Sequence, residues 1–176
     1  MQTTLEKHMN NIVLCGFMGC GKTTVGKNIE RITDRKFIDM DAFIEQKQNM
    51  TVSEIFDKYG EQSFRDMEFE ACKELAQMNN LIIASGGGAF TFERNVNVFK
   101  GIDKIVLLDI PLEAIKFRLR NDTKRPLLQR PDKDKAMEEL YNKRLPLYKS
   151  AADIVISGKG TPKKTAEAIV EAVRQK

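Results

Sequence analysis

Between Asn11 and Ile32 the chain passes from an unbroken apolar block, through three glycines, a lysine and two threonines, into a helical pattern. The block "NIVLCG" shows no polar alternation, as expected of a strand buried on both faces in a parallel sheet. In "KTTVGKNIERI", Val25, Ile29 and Ile32 recur at steps of four and three, which is one face of a helix. The glycines therefore occupy a strand-to-helix turn. The spacing Gly16-x4-Gly21-Lys22-Thr23 in that turn is a phosphate-binding loop. Glycine lets successive backbone N–H groups converge on an anion without a Cβ clash. The helix N-terminus behind them adds about half a unit of positive charge. Lys22 can reach β- and γ-phosphates, and Thr23 can offer its hydroxyl to Mg²⁺. A glycine-rich turn beside a chance lysine would explain the glycines but not the full spacing in this setting.

The rest of the chain repeats the alternation. Strands are predicted at Ile12–Cys15, Lys36–Asp39, Leu81–Ser85, Lys104–Leu108 and Asp153–Ile156. Between them, "TVSE" at Thr51–Glu54 reads as a capping box. Phe64, Met67, Ala71, Leu75 and Met78 step by three and four through the following helix. Thr161 before Pro162 reads as an N-cap and first-turn proline. This order implies an α/β fold: a five-stranded parallel sheet with helices on both faces, three layers in all. A chain of 176 residues suits one such domain, taken as 11–176 after a short polar tail at 1–10. No apolar run approaches the roughly 20 residues of a membrane helix. The start "MQTTLEKHMNN" lacks an apolar signal core, and Cys15, Cys20 and Cys72 are odd in number without metal-ligand spacing. A cytoplasmic protein with reduced thiols is expected. The net charge of +4 fits anionic small molecules and is too mild to argue for nucleic acid.

In such sheets ligands bind beyond the carboxyl ends of the strands. After the second strand, "IDMDAF" offers Asp39 and Asp41. One carboxylate could support Mg²⁺ and the other could accept a hydrogen bond from a substrate hydroxyl, although aspartates also favour helix N-termini. After the third, "SGGGAF" places Gly86, Gly87 and Gly88 where a ligand can approach the main chain or where the chain merely turns. In "SFRDMEFE", Arg65 and Glu68 neighbour one another beside the apolar row. They form either a surface ion pair or an oriented fork for a substrate carboxylate. The basic stretch "RLRNDTKRPLLQRPDKDK", about 118–134, reads as a long loop able to close as a lid and deliver an arginine. Arg144, ahead of a proline, either caps a helix C-terminus or reaches a substrate anion.

Taken in order, these motifs resemble the shikimate kinase family over nearly the whole chain from Asn11. The matching segments are "GFMGCGKT", "DMD", "FRDME", "SGGGAF", "RPLL" and "RLPLY". The resemblance implies a phosphate-loop kinase fold of the nucleoside monophosphate kinase type with a mobile lid. It implies ATP-dependent, Mg²⁺-dependent phosphorylation of the 3-hydroxyl of shikimate by a cytoplasmic monomer, without nucleic-acid or membrane partners. It places the nucleotide on Gly16, Gly19, Cys20, Gly21, Lys22, Thr23, Thr24, Arg118 and Arg125. Thr23 and Asp39 would hold the metal, and Lys22, Asp41 and Arg125 would be catalytic. Shikimate would lie against Asp41, Arg65, Glu68, Gly86, Gly87, Gly88 and Arg144, with both arginines on its carboxylate and Glu68 orienting them. Another small phosphate-loop kinase, such as a gluconate kinase, would not be expected to combine these acceptor-side motifs. A non-catalytic nucleotide-binding module would need neither the arginines nor a lid.

Overall fold

The computed structural model describes residues 10–122 and 125–175; the first nine residues of the expected tail lie outside them. Five strands form one parallel sheet: β1 (Ile12–Cys15), β2 (Lys36–Asp39), β3 (Leu81–Ala84), β4 (Lys104–Asp109) and β5 (Ile154–Ser157). Their order is β2-β3-β1-β4-β5. The helices are α1 (Lys22–Ile32), α2 (Met40–Gln48), α3 (Val52–Ala76), α4 (Glu93–Phe99), α5 (Leu112–Leu119), α6 (Lys133–Ala151) and α7 (Pro162–Gln175). α1 and α7 pack together on one face, while α3, α4 and α6 cover the other. The αβα layering follows from right-handed crossovers on either side of β1, the strand that starts the chain in the middle of the sheet.

The central strands are apolar because both faces are covered. Every residue of β1 and β3 is buried, whereas the edge strands β2 and β5 are partly exposed. At the amino ends of the strands Asn11, buried, ties three of them together. Its N–H donates to Asp103 Oδ1 at 2.7 Å, its side-chain amide donates to the carbonyl of Met78 at 2.9 Å, and its Oδ1 accepts from the N–H of Leu81 at 2.9 Å.

Local signals act as the sequence suggests. Thr51 and Glu54 form the capping box of α3, and the N–H of Lys164 donates to Thr161 Oγ1 at the start of α7. Two differences have plain causes. α3 is two helical segments joined at Gly60, whose φ of 79° no ordinary residue adopts readily. Met78 falls beyond the helix end and is exposed, so the apolar row stops at Leu75. The cysteines are free and buried. Among the described residues no helix is long and apolar enough to cross a membrane.

Candidate active site

Parallel register sets the carboxyl ends of three strands level, with Leu14 and Asp39 both paired to Ala84. The residues that follow therefore meet at one rim. The phosphate loop leaves β1 there and ends at Gly21, whose φ of 98° lets the chain turn directly into α1. Lys22 folds back over the loop, donating to the carbonyls of Gly16 at 2.8 Å and Phe17 at 3.2 Å. Arg118 reaches the loop from α5 and donates to the carbonyls of Gly19 at 3.3 Å and Cys20 at 3.1 Å.

Asp39 sits at the helix N-terminus, as one of its expected readings has it. Its Oδ1 caps α2 by accepting from the N–H of Ala42, and its Oδ2 accepts from Thr23 Oγ1 at 3.2 Å. Asp41 lies in the first turn of the same helix. Its Oδ1 is buried without a hydrogen-bond partner. Burial first, and the charge of Asp39 second, push its carboxyl up to about 6.

Arg65 is held from every side. Its Nη1 donates to Glu68 Oε2 at 2.8 Å, and its Nη2 and Nε donate to Glu61 Oε1 at 3.0 and 3.3 Å. Glu68 is only 1% exposed, so this is no surface pair. Burial raises the Glu68 carboxyl, opposed by the hydrogen bond and charge of Arg65.

Arg144 is not near a helix end, contrary to one expectation. Pro146 lies inside α6, which continues to Ala151. The Arg144 guanidinium therefore cannot cap the helix; its Nη1 instead donates to the carbonyl of Gly87 at 3.4 Å. The hydroxyl of buried Tyr148 donates to the same carbonyl. Burial lifts that phenol well above its usual range.

The triple glycine turns the chain, as one reading expects, and has a further cause. None of Gly86, Gly87 and Gly88 needs a left-handed backbone. A Cβ on Gly86 would lie 2.6 Å from Asp41 Oδ1, and one on Gly88 would lie 2.7 Å from Arg65 Nη1. The glycines make room for the protein's own charged side chains. Only at Gly87 is the space open, with Arg144 Nη1 3.8 Å from the Cβ position.

The expected loop at 118–134 is shorter than its composition suggests. Arg118 closes the last turn of α5, a 3-10 turn spans Pro126–Gln129, and Asp134 opens α6. Thr123 and Lys124 lie outside the described residues. Arg125 pairs with Asp122.

Two chambers flank the phosphate loop and share Gly19, Gly21 and Thr24. One of about 290 Å³ is lined by Lys22, Thr23, Asp39, Asp41, Gly86, Gly87 and Arg125. The other, about 340 Å³, runs along Arg118, Ile110 and the Gly158–Gly160 turn after β5. A larger cavity, about 580 Å³, opens at the far end of β1, and its Arg31 and Arg174 lie at helix C-termini, where cations are favoured anyway. Among the described residues no group of three or more His, Cys, Asp or Glu could hold a metal ion. Neither Glu61 nor Tyr148 was singled out from the sequence. The "RLPLY" motif contained Tyr148, but nothing local tied it to Gly87.

A phosphate loop on a 2-3-1-4-5 parallel sheet, with a second chamber of fixed charges beside it and an arginine-bearing segment above, defines a small phosphate-loop kinase. A family model described as shikimate kinase matches residues 18–174. The shikimate kinase of Thermodesulfovibrio yellowstonii is 42% identical over 93% of this chain and 94% of its own. That of Caldicellulosiruptor bescii is 38% identical over 92% and 94%. Among solved structures, shikimate kinase from Acinetobacter baumannii in complex with shikimate superposes with a TM-score of 0.88 at 36% identity, covering 95% of this chain and 94% of that one. A sugar kinase from Janibacter, at 17% identity and a TM-score of 0.64, shares the fold alone. The chain belongs to the shikimate kinase family, and it is an enzyme that phosphorylates shikimate from ATP.

Proposed function

We propose that the phosphoryl group goes to the 3-hydroxyl of shikimate, held in the chamber between the phosphate loop and the Arg65–Arg144 pair. The observation that carries this reading is Asp41 Oδ1, a buried acceptor without a partner on the chamber wall. Such a group is strongly disfavoured unless a ligand hydroxyl satisfies it. Asp41 accepts that hydrogen bond and holds the attacking oxygen in line. In a loose phosphoryl transition state this positioning is most of what a carboxylate must supply.

The carboxylate of shikimate is gripped by Arg65 and Arg144. Glu68 keeps the first of these oriented, and the Gly87 N–H binds the acceptor beside them. Two donors on the Gly87 carbonyl fix that peptide. On the other side Gly16, Gly19, Cys20, Gly21 and Thr24 cradle the phosphates. Lys22 leaves its loop carbonyls to meet the β- and γ-oxygens, and Arg118 moves from the loop to the adenine. Arg125 exchanges Asp122 for the transferring group.

Thr23 and Asp39 fit Mg²⁺. They are hard oxygen ligands 3.2 Å apart beside the loop. Mg²⁺ is usually held by one or two carboxylates together with substrate phosphates, not by an all-protein cage. When bound, the ion neutralises charge across the β- and γ-phosphates. One hydrophobic core underlies the described residues, which supports a single domain at 11–176. A coupled assay with shikimate, gluconate and nucleoside monophosphates tests the reading. Turnover with shikimate alone is expected; turnover with either alternative in its place overturns it.

A further inference from the structure

Phe92 is an exposed aromatic residue that the core does not require. It stands between the 3-10 turn after the triple glycine and α4, with 38% of its surface exposed. Its ring lies 5.5 Å from the guanidinium carbon of Arg65, and the Phe64 ring lies 5.6 Å from the same carbon. Phe64 is buried and belongs to the core of α3; Phe92 arrives from a different element. Glu68 and Glu61 fix the edges of the Arg65 plane, and the two rings bear on its charge.

We propose that Phe92 is a positioning residue for the acceptor carboxylate. It acts through Arg65, so the inference rests on Arg65 being the carboxylate anchor. A carboxylate that binds the fork competes with Glu61, which is 67% exposed and swings away readily. When Glu61 leaves, the guanidinium loses one of its two carboxylate partners. Phe92 then limits its rotation and keeps water off that charge, so the fork still faces the ligand. A ring suits this better than an aliphatic side chain, because its negative face attracts a cation and its rigid plane costs little ordering entropy.

The test is steady-state kinetics of Phe92→Ala, Phe92→Leu, Phe92→Tyr and Arg65→Lys in the full chain. Phe92→Ala is expected to raise the KM for shikimate about three- to tenfold, the scale of one partly desolvated cation–π contact. The kcat and the KM for ATP should stay within about twofold. Phe92→Tyr should restore the wild-type KM, whereas Phe92→Leu, similar in bulk, should behave like Phe92→Ala. Restoration by leucine would show simple packing and overturn the inference. So would an unchanged KM for shikimate in Phe92→Ala, or equal rises in both KM values. Should the alanine variant fail to fold, the leucine and tyrosine variants carry the comparison alone. Arg65→Lys separates the two levels. A normal shikimate KM there removes the anchor and the inference with it, while a raised KM beside a silent Phe92→Ala removes only the role of Phe92.

Discussion

The acceptor chamber and the nucleotide side of the same loop are built on opposite plans. In the acceptor chamber, Arg65 is 12% exposed and bound to a carboxylate that is 1% exposed. A Cβ at Gly86 or Gly88 would force Asp41 or Arg65 to shift. On the nucleotide side the cations rest on temporary partners. Lys22 and Arg118 lie on loop carbonyls, and Arg125, 42% exposed, pairs with Asp122. On the proposed reading the acceptor side is thus largely preorganised, with only the exposed Glu61 giving way at Arg65, whereas each charge that meets the phosphates exchanges its partner during the cycle. Groups fixed around the acceptor should govern its binding, and the charges that meet the transferring phosphoryl group should govern rate.

The sharpest way to break this contrast is Arg125→Ala. Its kcat should fall by about 10³ or more, the range for arginines supplied to a transferring phosphoryl group. Shikimate affinity should change far less. A loss confined to shikimate affinity in calorimetric titration would place Arg125 with the acceptor groups instead. Lys22→Ala should lower kcat by at least about 10², the scale of losing one donor to the charge that develops in the transition state. Its melting temperature should hold, since its partners are carbonyls at the mouth of a chamber. Near-normal turnover would remove the phosphate loop from catalysis.

On the preorganised side, Arg65→Lys and Arg144→Lys should each weaken shikimate binding by roughly tenfold, because an ammonium cannot reproduce the planar fork. ATP binding, titrated in parallel, should not move. The smallest effect concerns stability. The folded-state value of Asp41, about 6, lies above the 3.8 of a free carboxylate. Its ionisation therefore opposes folding: the penalty is absent below about pH 4, grows up to about pH 6 and is full above it. Asp41→Asn should melt higher than wild type at pH 7 and lose that advantage at pH 4. An advantage that persisted at pH 4 would point to packing rather than charge.

Features whose cause is local were legible in the sequence. All five strands fall within one residue of their predicted ends, and the three central ones are apolar blocks because both of their faces are covered. The phosphate loop and the α3 capping box are equally self-contained. What escaped depends on contacts distant in sequence. Glu61 is the exception: it lies four residues from Arg65 on the same helical segment, yet nothing in the sequence sets it apart from any exposed glutamate. Tyr148 meets Gly87 from 61 residues away. Arg144 looked like a cap because Pro146 suggests a helix end, yet the helix continues through the proline. The further cause of the triple glycine was also hidden, since it lies in side chains arriving from α2 and α3.

The resting place of Lys22 bears on turnover. A lysine with no alternative partner would hold a nucleoside diphosphate tightly, since releasing it would strand a cation at the mouth of the loop. Lys22 rests here on the carbonyls of Gly16 and Phe17, and on the proposed reading they take the ammonium back as the product departs. They compete with the spent nucleotide for the same charge, weaken its hold and so shorten the interval before the next ATP can enter.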